Sequence, residues 1–315
     1  MDAQPWGFIL FARNVTDREQ VRRLIDDLRG SVSDARAPVL IDQEGGRVSR
    51  LKPPVWKSYP AAASFGVLMN KFPSTAREAA YLNARLMACD LSDLGITVNC
   101  TPVLDVPVEG ADSVIGERAF GRDPLTVIEL GRAVIEGMLD GGVLPVMKHV
   151  PGHGRATVDS HKTLPRVSAP AEELSATDFV TFRSLNHCPM AMTAHVVYEA
   201  MDAQRPATTS PRIIRDVIRG EIGFNGVLLS DDLSMEALSG PLSARTKAAL
   251  FAGCDVALHC NGVMEEMQLV AQEAKPLDDM VLKRTTIALS HLNPPEDFDI
   301  AAGEARLATL MKGAE

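Results

Sequence analysis

Short apolar runs alternate with helical patterns along most of the chain. The first run is GFILF (7–11), followed by TDREQVRRLIDDLRG (16–30). In that stretch Val21, Leu24, Ile25 and Leu28 share one helical face, Thr16 and Glu19 have the spacing of a capping box, and Gly30 supplies a stop. Further runs are APVLID (37–42), ITVNCTPVLDV (96–106), GVLPVMKHV (142–150), PMAMTAHVVY (189–198), NGVLLSDDL (225–233) and CDVALHC (254–260). Helical periodicity fills the gaps at 75–94, 125–140, 172–186, 211–221 and 242–252, and Ser210–Pro211 makes a good N-cap and first-turn pair.

The runs are apolar on both faces, as parallel strands covered by helices are, and a repeating βα order predicts an α/β fold. Seven strands stand out. Five of the runs end in polar residues: Asp42, Asp105, Lys148–His149, His195 and Asp231–Asp232. A (β/α)8 barrel gathers all its strand C-termini on one catalytic face, whereas an open doubly wound sheet opens on a Gly-rich first turn. No GxGxxG follows GFILF, so the sequence predicts a TIM-like (β/α)8 barrel, irregular in that only seven strands are evident. With no linker-like or low-complexity break, it is expected to be one catalytic domain over 1–315.

Composition narrows the function classes. Of 315 residues 46% are apolar, ample for a core, and the net charge is −9. A phosphate backbone would be repelled, and no Lys/Arg cluster makes a local patch, so no nucleic-acid partner is expected. No apolar stretch reaches the roughly 18–20 residues of a membrane helix, so no membrane partner is expected either. The start, MDAQPWGFILFARN, lacks the basic segment and cleavage site of a signal peptide, which predicts a cytoplasmic protein. Five cysteines without CxxC spacing fit reduced core residues.

Chemistry concentrates in KHVPGHGRATVDSH (148–161), which holds three of the seven histidines. Pro151, Gly152 and Gly154 keep this segment from being helical, and a loop of more than about 15 residues inside a compact domain is usually functional or disordered. His149 and His153 have a metal-like spacing of four, with Asp159, His161 and His195 as further ligands, but Pro151 and Gly152 deny the pair a shared helical face. Asp159 and His161 also suit acid–base work: a carboxylate accepting one ring N–H fixes the tautomer and raises imidazole basicity. A DxH pair is equally what a local hydrogen bond in a surface loop looks like. Asp231 ends a buried strand; with Asp232 beside it, one aspartate can cap the following helix while the other reacts. Asp42, with Arg47 and Arg50 following the Gly45–Gly46 turn, fits ligand binding or a structural ion pair. In GERAFGRD (116–123), Glu117 and Arg118 can simply pair with each other.

Taken together, GFILFARN, LIDQEGGRVSRL, ITVNCTPVLDV, GERAFGRDP, KHVPGHGRATVDSHKTLP, MTAHVVY and GVLLSDDLSM, spread over residues 7–260, resemble the β-N-acetylhexosaminidases of glycoside hydrolase family 3, single-domain bacterial enzymes of cell-wall recycling. The resemblance implies a TIM-like barrel that removes terminal β-linked N-acetylglucosamine (GlcNAc) with retention of configuration, from GlcNAc–1,6-anhydro-N-acetylmuramic acid (MurNAc) muropeptides in peptidoglycan recycling. It implies Asp231 as nucleophile, His161 as general acid/base with Asp159 as its partner, and Asp42, Arg50, Arg118, Lys148 and His149 as the residues that hold the sugar. No cofactor or metal is implied; the partner is a small GlcNAc-containing carbohydrate, and the chain is expected to be a monomer. Retaining glycosidases commonly pair two carboxyl groups about 5–5.5 Å apart, and no convincing second carboxylate is evident; a histidine acid/base removes the need for one. The chain departs from the pattern at Val150, where the family has an aromatic, and lacks the second α/β domain of larger members.

Two other readings share these residues: a metal-dependent barrel hydrolase using His149, His153 and His195, and a sugar-binding barrel without turnover. A variant of the glycosidase reading transfers the glycosyl group to phosphate, because a histidine acid/base does not repel an anionic acceptor.

Overall fold

The computed structural model describes residues 3–314. Every predicted run contributes a strand: β1 (Phe8–Leu10), β2 (Val39–Ile41), β3 (Val98–Asn99), β4 (Leu144–Val150), β6 (Met190–Thr193), β8 (Val227–Asp232) and β9 (Val256–Leu258). They form one seven-stranded sheet in the order β1-β2-β3-β4-β6-β8-β9, parallel throughout. Two short strands, β5 (Arg166–Val167) and β7 (Val197–Tyr198), pair separately, so the expected run 189–198 is two strands rather than one. An eighth strand of the main sheet is not found among the described residues, and the expected long run 96–106 keeps only two residues in the sheet.

The central strands β2, β3, β4 and β6 and the start of β8 are buried on both faces, for two different reasons. Leu40, Val98, Val146, Met192 and Leu229 pack with Leu258 in one cluster, joined by Ile9 from the opposite edge strand. Val39, Ile41, Met147, Ala191 and Leu228 belong to the larger core under the helices. Alternate residues of a strand face opposite sides, so the sheet curls around its first cluster and is covered outside by the second. Each buried Leu, Val or Met side chain contributes roughly 1.5–3 kcal/mol.

The helices are α1 (Arg18–Gly30), α2 (Ala62–Lys71), α3 (Pro73–Asp93), α4 (Pro124–Asp140), α5 (Ala171–Thr177), α6 (Phe179–Ser184), α7 (Leu242–Ala252), α8 (Met264–Glu273), α9 (Asp279–Ser290) and α10 (Ile300–Met311), with a π-helical segment at Ile213–Glu221. The N-cap of α1 is Asp17 rather than Thr16: its carboxylate accepts the Gln20 N–H at 2.9 Å, while the Gln20 side chain accepts the Thr16 N–H. The cap is thus shifted by one residue, and the return bond from Gln20 goes to the residue before it. The expected helix 172–186 is broken at Asp178, whose buried carboxylate accepts Arg155 Nε at 2.7 Å. Ser210 caps the π-helical segment, accepting the Ile213 N–H at 3.1 Å. No helix among the described residues is long and apolar enough to cross a membrane.

Opposite the polar strand ends, charges tie helical segments to the sheet. Asp255, at the start of β9, accepts Arg219 and Arg284 at 2.8 Å each and the Leu228 N–H at 2.9 Å. Both carboxylate oxygens are taken, which suits a fold-stabilising rather than a reactive role.

Candidate active site

The C-terminal ends of β1, β2, β4, β6, β8 and β9 open into a cavity of about 420 Å³. That lies within the roughly 300–1,000 Å³ range of small-molecule sites. Asp42, Arg50, Arg118, Lys148, His149, His161 and Asp231 all line it. Of the eight candidate site residues only Asp159 does not, and it reaches the cavity through His161.

One wall is a buried charge network. Lys148 Nζ sits 2.9 Å from Asp42 Oδ1 and 2.6 Å from Glu44 Oε1, and Arg50 Nη2 sits 3.1 Å from Asp42 Oδ2. Arg118 does not pair with its neighbour Glu117; it makes a two-pronged contact of 2.8 Å per prong with Glu44. Burial alone would drive Glu44 neutral, but Lys148 and Arg118 outweigh it and hold its carboxyl well below the usual range. Burial likewise opposes charge on Lys148, and Asp42 and Glu44 reverse that, raising its pKa. Glu44 was not singled out in the sequence. The available signal was its position two residues past Asp42 at a strand end, a spacing that puts both carboxylates on one side.

A second buried carboxylate organises the KHVPGH segment. Asp105 Oδ2 accepts His149 Nδ1 at 2.7 Å, and its Oδ1 accepts the backbone N–H groups of His149 at 3.2 Å and His153 at 2.6 Å. Burial raises the pKa of Asp105, yet His149 and His153 together bring it below the usual carboxylate value. With Nδ1 protonated toward Asp105, His149 presents Nε2 as an acceptor beside Arg118 Nη2, 3.5 Å away.

The histidines do not assemble a metal site. The His149 and His153 rings meet edge to face with centroids 5.6 Å apart. Both nitrogens of His195 are bonded elsewhere, and no group of three metal-ligating side chains occurs among the described residues. His153 instead ties down the loop: its Nε2 lies 3.0 Å from Ser160 Oγ, next to His161. Burial, then the adjacent His149, lowers the His153 pKa from 6.5 to about 4. The unfolded chain therefore binds a proton near pH 6.5 that the folded chain refuses until about pH 4. Stability should be full above pH 6.5 and fall by about 3 kcal/mol as pH drops to 4. Urea midpoints at pH 7 and 4.5 measure this; the difference should shrink in His153→Gln, and an unchanged difference would rule the assignment out.

His161 lies on the exposed part of the loop, its side chain 61% accessible. Asp159 Oδ1 accepts both the His161 backbone N–H at 2.9 Å and its Nδ1–H at 2.8 Å. Slight burial works against ionisation of Asp159, but the bonds and charge from His161 lower its pKa overall. The ring is thereby fixed with Nδ1 on the carboxylate and Nε2 free.

Asp231 and Asp232 divide as the sequence allowed. Asp232 has structural work: Oδ1 accepts the N–H groups of Ser234 at 3.0 Å and Cys260 at 3.1 Å, and Oδ2 accepts Ser234 Oγ at 2.6 Å. Asp231 uses only Oδ1, which accepts the Asp232 N–H at 2.8 Å. Burial raises its pKa, but the surrounding His195 and His149 rings, the Asp232 N–H and Lys148 together bring it below the usual carboxylate value, so Asp231 is ionised. Of the four carboxylates lining the cavity, then, Asp42, Glu44 and Asp232 have both oxygens engaged. Asp231 alone keeps an oxygen without a donor among the described residues, and His161 is the exposed histidine at the cavity, its Nδ1 held by Asp159 and its Nε2 open.

Residues 3–290 match the Glycosyl hydrolase family 3 N terminal domain, and the chain belongs to glycoside hydrolase family 3. It is 42% identical over 261 residues to the beta-hexosaminidase of Alkalilimnicola ehrlichii, covering 81% of this chain and 73% of that one. Its fold is similar to NagZ from Neisseria gonorrhoeae in complex with N-trifluoroacetyl-D-glucosamine, with a TM-score of 0.87 and 33% identity over 97% of this chain and 90% of that one. It is also similar to a family 3 beta-N-acetylglucosaminidase from Paenibacillus, with a TM-score of 0.78 and 29% identity over 98% of this chain and 56% of that one. Within the family, the chain is a β-N-acetylhexosaminidase.

Proposed function

We propose that the chain is a retaining exo-β-N-acetylglucosaminidase acting on GlcNAc–1,6-anhydro-MurNAc muropeptides in peptidoglycan recycling, as a cytoplasmic monomer. Its one catalytic domain is proposed to be a TIM-like (β/α)8 barrel, irregular in that seven strands make up its main sheet among the described residues; Ile9 and Leu258, from the two edge strands, share one inner cluster, which supports closure. Asp231 Oδ2 attacks the anomeric carbon while His161 Nε2–H protonates the departing oxygen. His161 then takes a proton from the water that displaces Asp231, and the two inversions give retention. Asp42, Arg50, Arg118, Lys148 and His149 hold the sugar's hydroxyls and N-acetyl group.

The observation that carries this reading is the division of labour among the cavity carboxylates. A second carboxyl acting as acid would have to turn a protonated oxygen toward the substrate, and every oxygen of Asp42, Glu44 and Asp232 already accepts a hydrogen bond within the protein. The resemblance to a relative bound to an N-acylated glucosamine supports the substrate class.

The test follows hydrolysis of p-nitrophenyl N-acetyl-β-glucosaminide in EDTA by proton NMR. The first sugar released should be the β-anomer, at a rate unaffected by the chelator or by added phosphate. An α-anomer as first product would exclude the retaining mechanism, loss of activity in EDTA would restore the metal reading, and acceleration by phosphate would point to transfer to that acceptor.

A further inference from the structure

Beneath Asp231 lie three side chains that the reaction described above does not use: Thr193 at the end of β6, His195 two residues on, and Thr208 in the turn Ala207–Thr209. All three are fully buried, and none lines the cavity. Their hydrogens can be placed from their partners and from the burial of the imidazole. His195 Nε2 is 2.9 Å from the Asp232 carbonyl, which only accepts, so Nε2 carries a hydrogen. Burial lowers the His195 pKa, against the pull of Asp231, and the ring is neutral. Nδ1 is therefore a lone pair, and Thr208 Oγ1, 2.7 Å away, must donate to it.

That uses the one hydrogen of Thr208, in preference to its longer 3.1 Å contact with the Ala194 carbonyl. At the 2.8 Å contact between Thr193 and Thr208, Thr193 is then the donor. Thr193 Oγ1 in turn accepts the Asp231 N–H at 3.3 Å. The chain of bonds starts on the N–H of Asp231 and ends on the carbonyl of Asp232, in one direction. Between those ends lies the Asp232 N–H, the group that holds Asp231 Oδ1.

We propose that Thr193, Thr208 and His195 are positioning residues for the nucleophile, forming a one-directional hydrogen-bond ring that fixes the Asp231–Asp232 segment so that Oδ1 is held and Oδ2 faces the sugar. The inference rests on Asp231 being the nucleophile. Aligned hydrogen bonds in a dry interior reinforce one another, and small displacements of a reacting group slow reactions steeply.

The test compares Thr208→Val, which keeps the shape but removes the hydroxyl, with Thr208→Ser, which restores it. Asp231→Ala is assayed in parallel. On p-nitrophenyl N-acetyl-β-glucosaminide, Thr208→Val should lower kcat and kcat/KM together by roughly 10- to 100-fold with KM nearly unchanged. Thr208→Ser should recover most of that loss even where its Tm is as low as that of the valine variant, which a merely structural role would not produce. If Thr208→Val does not fold, Thr193→Val against Thr193→Ser makes the same comparison at the Asp231 end of the ring. A folded valine variant with wild-type kcat, or a serine variant as slow as valine, overturns the ring while inactive Asp231→Ala leaves the nucleophile assignment standing. Turnover by Asp231→Ala overturns both.

Discussion

Asp231→Ala is expected to lower kcat by roughly 10³- to 10⁵-fold on every substrate, whatever its leaving group, because it removes the covalent route itself. The argument is local. Asp231 is ionised, half-buried, and holds one oxygen free in a cavity whose other carboxylates accept a hydrogen bond at each oxygen. Little else should change, since Asp232 carries the structural contacts of this strand end. Removing the carboxylate leaves space where a small anion fits. Azide should restore turnover of the p-nitrophenyl substrate by attacking from the vacated side, releasing nitrophenolate and giving the α-glycosyl azide. Steady-state rates and NMR of the azide product make the measurement. Turnover within tenfold of wild type, or a β-azide product, would place the nucleophile elsewhere.

His161→Ala should behave in the opposite manner, with an effect that depends on the leaving group. A sugar alkoxide leaves poorly without a proton, so cleavage of a GlcNAc-terminated disaccharide should fall by roughly 10²- to 10⁴-fold. A nitrophenolate leaves unaided, so the first step on that substrate should survive. The second step still lacks its base, and the glycosyl-enzyme should accumulate. The signature is a burst of nitrophenolate close to one equivalent of enzyme, followed by slow turnover, seen by stopped-flow absorbance. Equal losses on both substrates with no burst would remove His161 from the acid/base role. The geometry motivating this is Asp159 bonded to Nδ1, which leaves Nε2 as the group that can exchange a proton with substrate.

Much of the site was legible in the chain because its residues sit at strand ends. An apolar run ending in Asp231, Lys148–His149 or Asp42 announces which end of the strand carries polar groups, and parallel strands bring those ends to one face. Two kinds of residue escaped. Glu44 lies just beyond its strand, and nothing in LIDQEGG shows that it meets Arg118, 74 residues away, in preference to the adjacent Glu117. Asp105 was visible as a strand end, but its hold on His149 and His153 depends on β3 and β4 lying side by side. His195 reads in the sequence as a candidate metal ligand, and the fold turns it inward against Asp232 and Thr208.

Helices α8, α9 and α10 and the break at Asp178 were equally invisible, for a related reason. They depend on what each segment packs against, and exposed apolar positions such as Met264, Met280 and Ile300 blur the periodicity on which a helix is recognised. What the chain by itself determined was local and repetitive: the seven apolar runs, their parallel βα order, and the clustering of titratable groups on one set of strand ends. What only tertiary structure decided was pairing, namely which carboxylates are neutralised by cations, which nitrogen of each histidine is free, and that Asp231 rather than Asp232 keeps an open oxygen. Periodicity is written in neighbouring residues, whereas the partner of a charge is set by the approach of segments tens of residues apart, and burial then fixes the protonation state that the pairing requires.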